Sequence, residues 1–427
     1  MTETLHILHI LRSQDAFVRD QVLSLVARLP RRHFVNTVAG DHTRLMKRQF
    51  EARKTRWIDM PLPTTTSVSD QLSARHRLRR VLASNPVSIV HAHGFQAAFT
   101  ALSSRALGGP NVPVVFSPHG PPGIDGRTPM QRRAVVSAAR WVLQNADRVA
   151  VQSNWELAAL QPIGLPGSDR IRVVPQGAAV KALRADFEPG AKRRLVGLDP
   201  QAAIIGICAG PDVTGFRTFL RAANAISETT PNVEFVSLGE HGKSPAMAEL
   251  AHDLGLTGSM VFLGDRADIA EIIASLNALV IPADFMGGTS YALQALANNI
   301  PLVVGETGPL AEDIEQISSA YIVPQEDLKA LKDIFHRILE RVPGTAGEEF
   351  IIEELSITSR EAMVQRSTID LDTKGLEPEE GSDTISQGAA VRRVIDAHSV
   401  EKMAIGYVRM YDELTEVPVP QRQTVSG

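Results

Sequence analysis

Residues 283–312, ADFMGGTSYALQALANNIPLVVGETGPLAE, concentrate groups able to hold an anion. Gly287, Gly288, Thr289 and Ser290 open a helix-like stretch directly after an apolar, strand-like run. A loop of this kind offers uncommitted backbone N–H groups, two hydroxyls and the positive end of a helix dipole, which suits a phosphate or a sugar hydroxyl. An ordinary strand-to-helix turn uses the same residue types, so both readings stand at this level. A second glycine loop follows the next strand-like run, with Gly308 and then Glu312. Histidines are the other reactive groups. His119 precedes Gly120 at a strand end, and either meets a substrate or holds its own turn. His91 and His93 have the residue type of a metal pair, but i, i+2 spacing at a strand end is weak support for one, and no metal is expected. His91 is expected to be packed and His93 to face a cleft. The single Cys208 lies in the apolar run 204–209 and reads as a buried structural thiol rather than a nucleophile.

The elements that position these groups alternate. Strand-like runs at 5–11, 34–39, 87–91, 112–117, 148–152 and 171–174 are separated by helical patterns at 16–29, 70–84, 95–107, 129–145 and 154–161. Pro175-Gln176-Gly177 then punctuates the chain. The pattern restarts with strands at 203–209, 233–239, 260–263, 278–282, 301–305 and 320–323, and helices at 215–227, 245–254, 267–276, 290–298 and 325–341. Short β-rich runs alternating with helices indicate a parallel sheet covered on both faces. The expected fold class is α/β, with two doubly wound domains in series at 1–177 and 178–342. Residues 343–388 are acidic and aromatic-poor and read as a mostly disordered insertion, with a short helix near 348–355. An amphipathic helix over 389–414 and a flexible tail, 415–427, complete the chain. Ligands of such sheets bind at the carboxyl ends of strands, here also between the domains.

A length of 427 residues favours two cores over one. A 44% hydrophobic and 22% charged composition is that of a globular protein. No apolar run approaches the roughly 20 residues needed to span a bilayer, the N-terminus lacks the basic start of a signal peptide, and one cysteine precludes an intrachain disulfide. A cytoplasmic setting is expected. Net charge is −4 but uneven: residues 1–80 hold fifteen Lys/Arg against seven Asp/Glu, and residues 343–385 hold eleven acids against three bases. In 70–84, Ala74, Leu78, Val81 and Leu82 share one helical face and leave most arginines outside. That basic face is either simply solvated or drawn to anionic lipid headgroups at the inner face of the membrane or to a lipid-linked phosphate acceptor. Nucleic acid is not an expected partner, because aromatics are scarce and no nucleic-acid motif accompanies the charge.

With these elements in place, the chain resembles the family 4 glycosyltransferases of the GT-B fold. The resemblance rests on Ile89-Val-His-Ala-His-Gly94, Ser117-Pro-His-Gly120, Ala146-Asp-Arg-Val-Ala-Val-Gln-Ser153 and Arg172-Val-Val-Pro-Gln-Gly177 in the first half. In the second half it rests on Phe262-Leu-Gly264, Ala292-Leu-Gln-Ala-Leu-Ala, Pro301-Leu-Val-Val304, Gly308 and Glu312, with Glu401–Tyr411 resembling a helix that crosses back to the first domain. The resemblance implies transfer of a hexose, with retention, from a nucleotide sugar to a glycan or lipid-linked acceptor in polysaccharide or cell-envelope biosynthesis, without a cofactor. It assigns His119 to catalysis, His93 to the acceptor side, and Gly210, Thr214, Gly287, Gly288, Thr289, Ser290, Gln294 and Glu312 to the donor.

The donor region departs from the family pattern. A Gly-Arg pair and a Lys-Gly pair normally neutralise the diphosphate; here they read Gly210-Pro211 and Thr214-Gly215. Two glutamates normally placed eight positions apart read Met286 and Gln294, of which only glutamine retains a strong hydrogen-bonding group. The glycine pair after the first strand is also replaced, by Ser13-Gln14-Asp15-Ala16. Arg217, Lys243, Arg266 and Glu240 lie near the same loops and could compensate. The alternative is a degenerate protein that serves as a binding or scaffold partner of an active glycosyltransferase. A sugar-nucleotide epimerase is a weaker third reading.

Overall fold

Strands rich in Ile, Val and Leu and buried on both faces can only be satisfied inside a sheet covered on both sides, and the chain builds two of these. The computed structural model describes residues 4–12, 16–41, 44–63, 68–124, 127–180, 187–208, 213–239, 243–264, 266–282, 287–324, 326–341 and 387–416. The first sheet contains β1 (Leu5–Leu11), β2 (Phe34–Gly40), β3 (Arg56–Asp59), β4 (Ile89–His93), β5 (Val114–Ser117), β6 (Arg148–Val151) and β7 (Ile171–Val173). Its order is β3-β2-β1-β4-β5-β6-β7, all parallel. The second contains β8 (Ala203–Cys208), β9 (Val233–Leu238), β10 (Met260–Gly264), β11 (Ala278–Ile281), β12 (Leu302–Gly305) and β13 (Ala320–Val323), in the order β10-β9-β8-β11-β12-β13, again parallel. Both are doubly wound. Strand order reverses between β1 and β4 in one and between β8 and β11 in the other, and crevices open at such switch points.

Period-two alternation divides each strand between two cores. In the first domain Leu8, Ile10, Val90 and Phe116 face the helices Phe95–Ala106 and Pro129–Asn145. Ile7, Ile89, Val115 and Ala150 face the opposite way, against Leu25 and Leu29 and the helix Val400–Glu416 at the end of the chain. That helix contributes Met403, Tyr407, Met410 and Tyr411, all buried.

The single helix expected over 389–414 is in fact two. The helix Gln387–Ala397 packs Ala390 and Val394 into the second domain, whereas Val400–Glu416 lies on the first. Between them Ser399 pairs with Ala178 as a β-bridge, and Ala178 donates its N–H to the His398 carbonyl at 2.9 Å. Ser399 then caps the new helix, its Oγ accepting from Lys402 N at 3.3 Å. Gly177 is required at this crossing, because a Cβ there would lie 2.8 Å from Val400 Cα and 2.9 Å from Met403 Cβ. The structure also adds β3, the helix Arg44–Ala52 and, between the two strand patterns, the helix Pro189–Leu195, none of which the strand-and-helix pattern indicates. The expected helix near 348–355, nearly all of the acidic insertion and the tail beyond 416 lie outside the described residues.

Tyr411 is fully buried and bonds His91 Nδ1 at 2.7 Å, so its replacement tests the crossing helix directly. Tyr411→Ala is expected to lower unfolding free energy by about 3–5 kcal/mol. Tyr411→Phe, which leaves His91 Nδ1 unpaired, should cost about 1–3 kcal/mol. Urea unfolding measures both; a Tyr411→Ala loss below 1 kcal/mol would mean the helix is not integral to the first core.

Candidate active site

Parallel pairing sets His9 beside His91 and His93 beside Ser117, so four polar residues share one face at the carboxyl halves of β1, β4 and β5. His9, His91, His93 and Ser117 are buried there, beneath Tyr407 and Tyr411 of the crossing helix. Their bonds form two branches. In one, His91 Nδ1 meets the Tyr411 hydroxyl at 2.7 Å, His91 Nε2 meets Ser117 Oγ at 2.9 Å, and Ser117 Oγ meets the Tyr407 hydroxyl at 3.0 Å. In the other, His9 Nε2 meets Asn36 Oδ1 at 3.2 Å, His9 Nδ1 meets His93 Nε2 at 3.2 Å, His93 Nδ1 meets His119 Nε2 at 3.0 Å, and His119 Nδ1 meets Gln152 Nε2 at 2.9 Å. Burial lowers the pKa of all four imidazoles, His9 to about 4 and His119 to about 3, with His91 and His93 also well below the usual range. The cluster is therefore neutral at physiological pH.

His119 sits at φ 58° with Gly120 at φ 107°, a tight turn that needs external support. Glu156 supplies it. This fully buried carboxyl accepts from Gly120 N at 2.5 Å and from Gln152 N at 2.6 Å, while its own N–H donates to Ser153 Oγ at 3.1 Å. Burial pushes the Glu156 carboxyl up to about 7, against the opposing pull of those two N–H donors. His119 is half-buried, with the Phe17 ring edge-on at 5.8 Å. His93, expected to face the cleft, is instead buried and bonded at both nitrogens, because the strand register turns it into the sheet-to-helix layer.

Ring nitrogens of His9, His91 and His93 lie within 4.8 Å of one another, close enough to be considered for a cation. Each ring nitrogen of the three already has a protein partner, so ligation would have to break existing bonds.

The second domain presents its glycine loops at the β8/β11 switch point. The helix Gly288–Ala297 begins just past β11, with Gly287, Gly288 and Thr289 buried, Ser290 half-buried, and no side-chain cap from Gly287. Thr289 and Gly308 line one small cavity together with Ile281, Pro282, Gly305 and Pro309, so the two glycine loops meet. The helix Val213–Thr229, which follows β8, arrives at the same place: a Cβ on Gly215 would lie 2.5 Å from Pro282 Cβ. Gln294 is buried one turn further along its helix. Glu312 stands at the domain boundary, its carboxylate accepting from Asn154 Nδ2 at 3.2 Å. Gly210, Pro211, Glu240 and Met286 lie outside the described residues, as does the side chain of Thr214. Of the compensating cations, Arg266 is committed to Asp268 through two bonds of 2.7 and 3.0 Å, whereas Arg217 and Lys243 are exposed.

Sequence reasoning identified His93, His119 and the glycine loops but not His9, Asn36, Gln152, Glu156, Tyr407 or Tyr411. Two signals were available. His9 falls in phase with core-facing Ile7 on β1, and Ser153-Asn-Trp-Glu156 has the spacing of a helix-capping box.

The buried imidazoles fix a pH dependence. Each is protonated near pH 6.5 when unfolded but stays neutral when folded, so its stabilising contribution is present above 6.5 and is lost as pH falls. Glu156 has the opposite sign, being protonated in the fold up to about 7. Near pH 5.5 the unfolded chain binds about three more protons net from these five groups, a slope of about 4 kcal/mol per pH unit. Urea midpoints at pH 7.5, 6.5 and 5.5 should fall accordingly; a flat profile to pH 5 would contradict the burial of neutral histidines.

Comparisons with known proteins agree with this architecture. Residues 18–177 match the glycosyl transferase 4-like domain and residues 200–341 match glycosyl transferases group 1. The chain is 25% identical over 275 residues to a D-inositol 3-phosphate glycosyltransferase of Corynebacterium urealyticum, covering 59% of this chain and 63% of that relative. The chain thus spans under two thirds of that protein's length. In fold it is similar to a glycosyltransferase from Rickettsia africae (TM-score 0.71, 13% identity, 97% of this chain and 100% of that one). It is similar also to Anabaena Alr3699/HepE in complex with UDP and glucose (TM-score 0.69, 14% identity, again 97% and 100%). Two family domains in sequence, on two doubly wound sheets joined by a crossing helix, place this chain in the family 4-like glycosyltransferases of the GT-B fold.

Proposed function

We propose that the chain transfers a hexose from a nucleotide sugar to a glycan or lipid-linked acceptor, with the donor on the second domain and His119 facing it from the first. The observation that carries this reading is the convergence of the Gly287–Ser290 helix start, Gly308 and Gly215 at the β8/β11 switch point. Backbone N–H groups and a helix dipole there would stabilise negative charge on a departing diphosphate. The similarity to HepE in complex with UDP and glucose supports a nucleotide-sugar donor. Retention follows from the family resemblance.

The scaffold reading draws on a different observation. Pro211 and Thr214 stand where the family keeps cations, Met286 and Gln294 where it keeps acids, and Arg266 is already paired with Asp268. Each missing charge-assisted phosphate contact is worth about 1.5–3 kcal/mol. The donor should therefore bind weakly, with a dissociation constant in the high micromolar to millimolar range, about 4–6 kcal/mol. Pro211→Arg with Thr214→Lys should tighten nucleoside diphosphate binding at least tenfold, and Met286→Glu should then favour the sugar-bearing donor over the bare nucleotide. Calorimetry across a panel of nucleotide sugars decides between the readings. No binding at millimolar concentration, in wild type and double variant alike, would remove the transferase reading and leave the scaffold.

For the acceptor, the helix Val68–Ala83 keeps Ala74 and Leu78 buried and holds Arg77 and Arg80 outward. Arg75 bonds the Gln71 carbonyl and Arg79 the carbonyls of Ser104 and Leu107, so these two are partly committed to the fold. Among the described residues no helix is long and apolar enough to cross a membrane, so any lipid contact in the described part would be peripheral. Binding to anionic vesicles should fall as salt rises to physiological levels, where the screening length is about 8 Å, and should fall further with Arg77→Glu and Arg80→Glu. Association that ignores both salt and charge reversal would leave this helix as a solvated face.

A further inference from the structure

The branch from Asn36 to Gln152 contains three neutral imidazoles in a row, and its two ends are amides with different atoms turned inward. Gln152 presents Nε2, which can only donate; Asn36 presents Oδ1, which can only accept. A neutral imidazole has one N–H and one lone pair, so a single direction satisfies all the bonds. Gln152 donates to His119 Nδ1, His119 Nε2–H to His93 Nδ1, His93 Nε2–H to His9 Nδ1, and His9 Nε2–H to Asn36 Oδ1. The His91 ring, 4.0 Å from that of His93, is bonded separately to Tyr411 and Ser117 and does not interrupt the series. Reversing either amide alone would set two donors or two acceptors against each other. Gln152 also keeps Oε1 buried without a hydrogen-bond partner among the described residues, which makes its amide the loosest link.

We propose that Asn36, His9 and His93 are positioning residues that hold His119 as the Nε2–H tautomer, so that its Nδ1 lone pair becomes an acceptor for a sugar hydroxyl when the Gln152 amide moves aside. The sugar in this statement rests on the function proposed above; the tautomer does not. Holding the proton on Nε2 matters because the opposite tautomer would present an N–H at Nδ1 and meet the same hydroxyl as a donor.

Long-range proton–nitrogen correlation spectra of protein carrying 15N-histidine test this, because protonated and unprotonated ring nitrogens resonate far apart. The His119 signals are assigned by their loss in His119→Gln. Wild type should show His119 with Nδ1 bare and Nε2 protonated. Asn36→Leu removes the terminal acceptor and should lower the His119 tautomer ratio about tenfold, as expected for one buried hydrogen bond; Asn36→Asp should restore it. Gln152→Glu places an acceptor at the other end and should turn the series round, protonating His119 Nδ1. A wild-type His119 protonated at Nδ1 would overturn the proposal, as would unchanged tautomers in folded Asn36→Leu and Gln152→Glu. If Asn36→Leu does not fold, Gln152→Glu decides alone. Adding the tightest-binding nucleotide sugar should shift the wild-type Nδ1 signal. Binding without such a shift, or no binding at all, would remove the hydroxyl contact while the tautomer result stands.

Discussion

Without the helix Val400–Glu416, much of the sheet face that carries Ile7, Ile89, Val115 and Ala150 would be open to water, and three buried histidines with it. This helix is the last described element of the chain, so the first domain's core is completed only after the second domain has been made. Its register is set by a close backbone approach at Gly177 and by the bridge between Ala178 and Ser399. The same crossing joins the domains: His398, at the break, bonds Asp313 at 3.0 Å and the Gln176 carbonyl at 3.3 Å. Site geometry and domain arrangement therefore share one seam.

Much of the fold is legible from residue order because burial on both sheet faces writes unbroken apolar runs, such as 203–208. The short edge strand β3 is not, since Arg56 and Asp59 flank only two apolar residues and its placement depends on pairing with β2. The break in the C-terminal helix is likewise set by a distant partner. Nothing local in Ala397-His-Ser399 forbids a continuous helix; Ala178, more than two hundred positions earlier, draws Ser399 out of it.

The site divides in the same way. Glycines at a helix start can be read locally, since their backbone N–H groups are the chemistry. The histidine series cannot, because strands β1, β2 and β4 and the loops after β5 and β6 each contribute one member, and only the parallel register brings them together. Burial makes the imidazoles neutral, and neutrality makes each a one-way link. A charged His119 would serve as an anion contact. A neutral one is confined to hydrogen bonding, which under the proposed function would leave the donor's diphosphate charge to the second domain, where Pro211 and Thr214 stand at the positions the family resemblance gives to cations. That division explains why affinity for the proposed donor is expected to be weak although the Gly287–Ser290 helix start and Gly305–Gly308 lie together.

Amide hydrogen exchange, with and without a saturating nucleotide sugar, tests the central claim that these loops form the donor seat. The account predicts slowed exchange at Gly288–Ser290 and around Gly305–Gly308, with little change on the outer surface of the first domain. Protection confined to the helix Val68–Ala83, or none at any loop of the second domain while the ligand is bound, would contradict it.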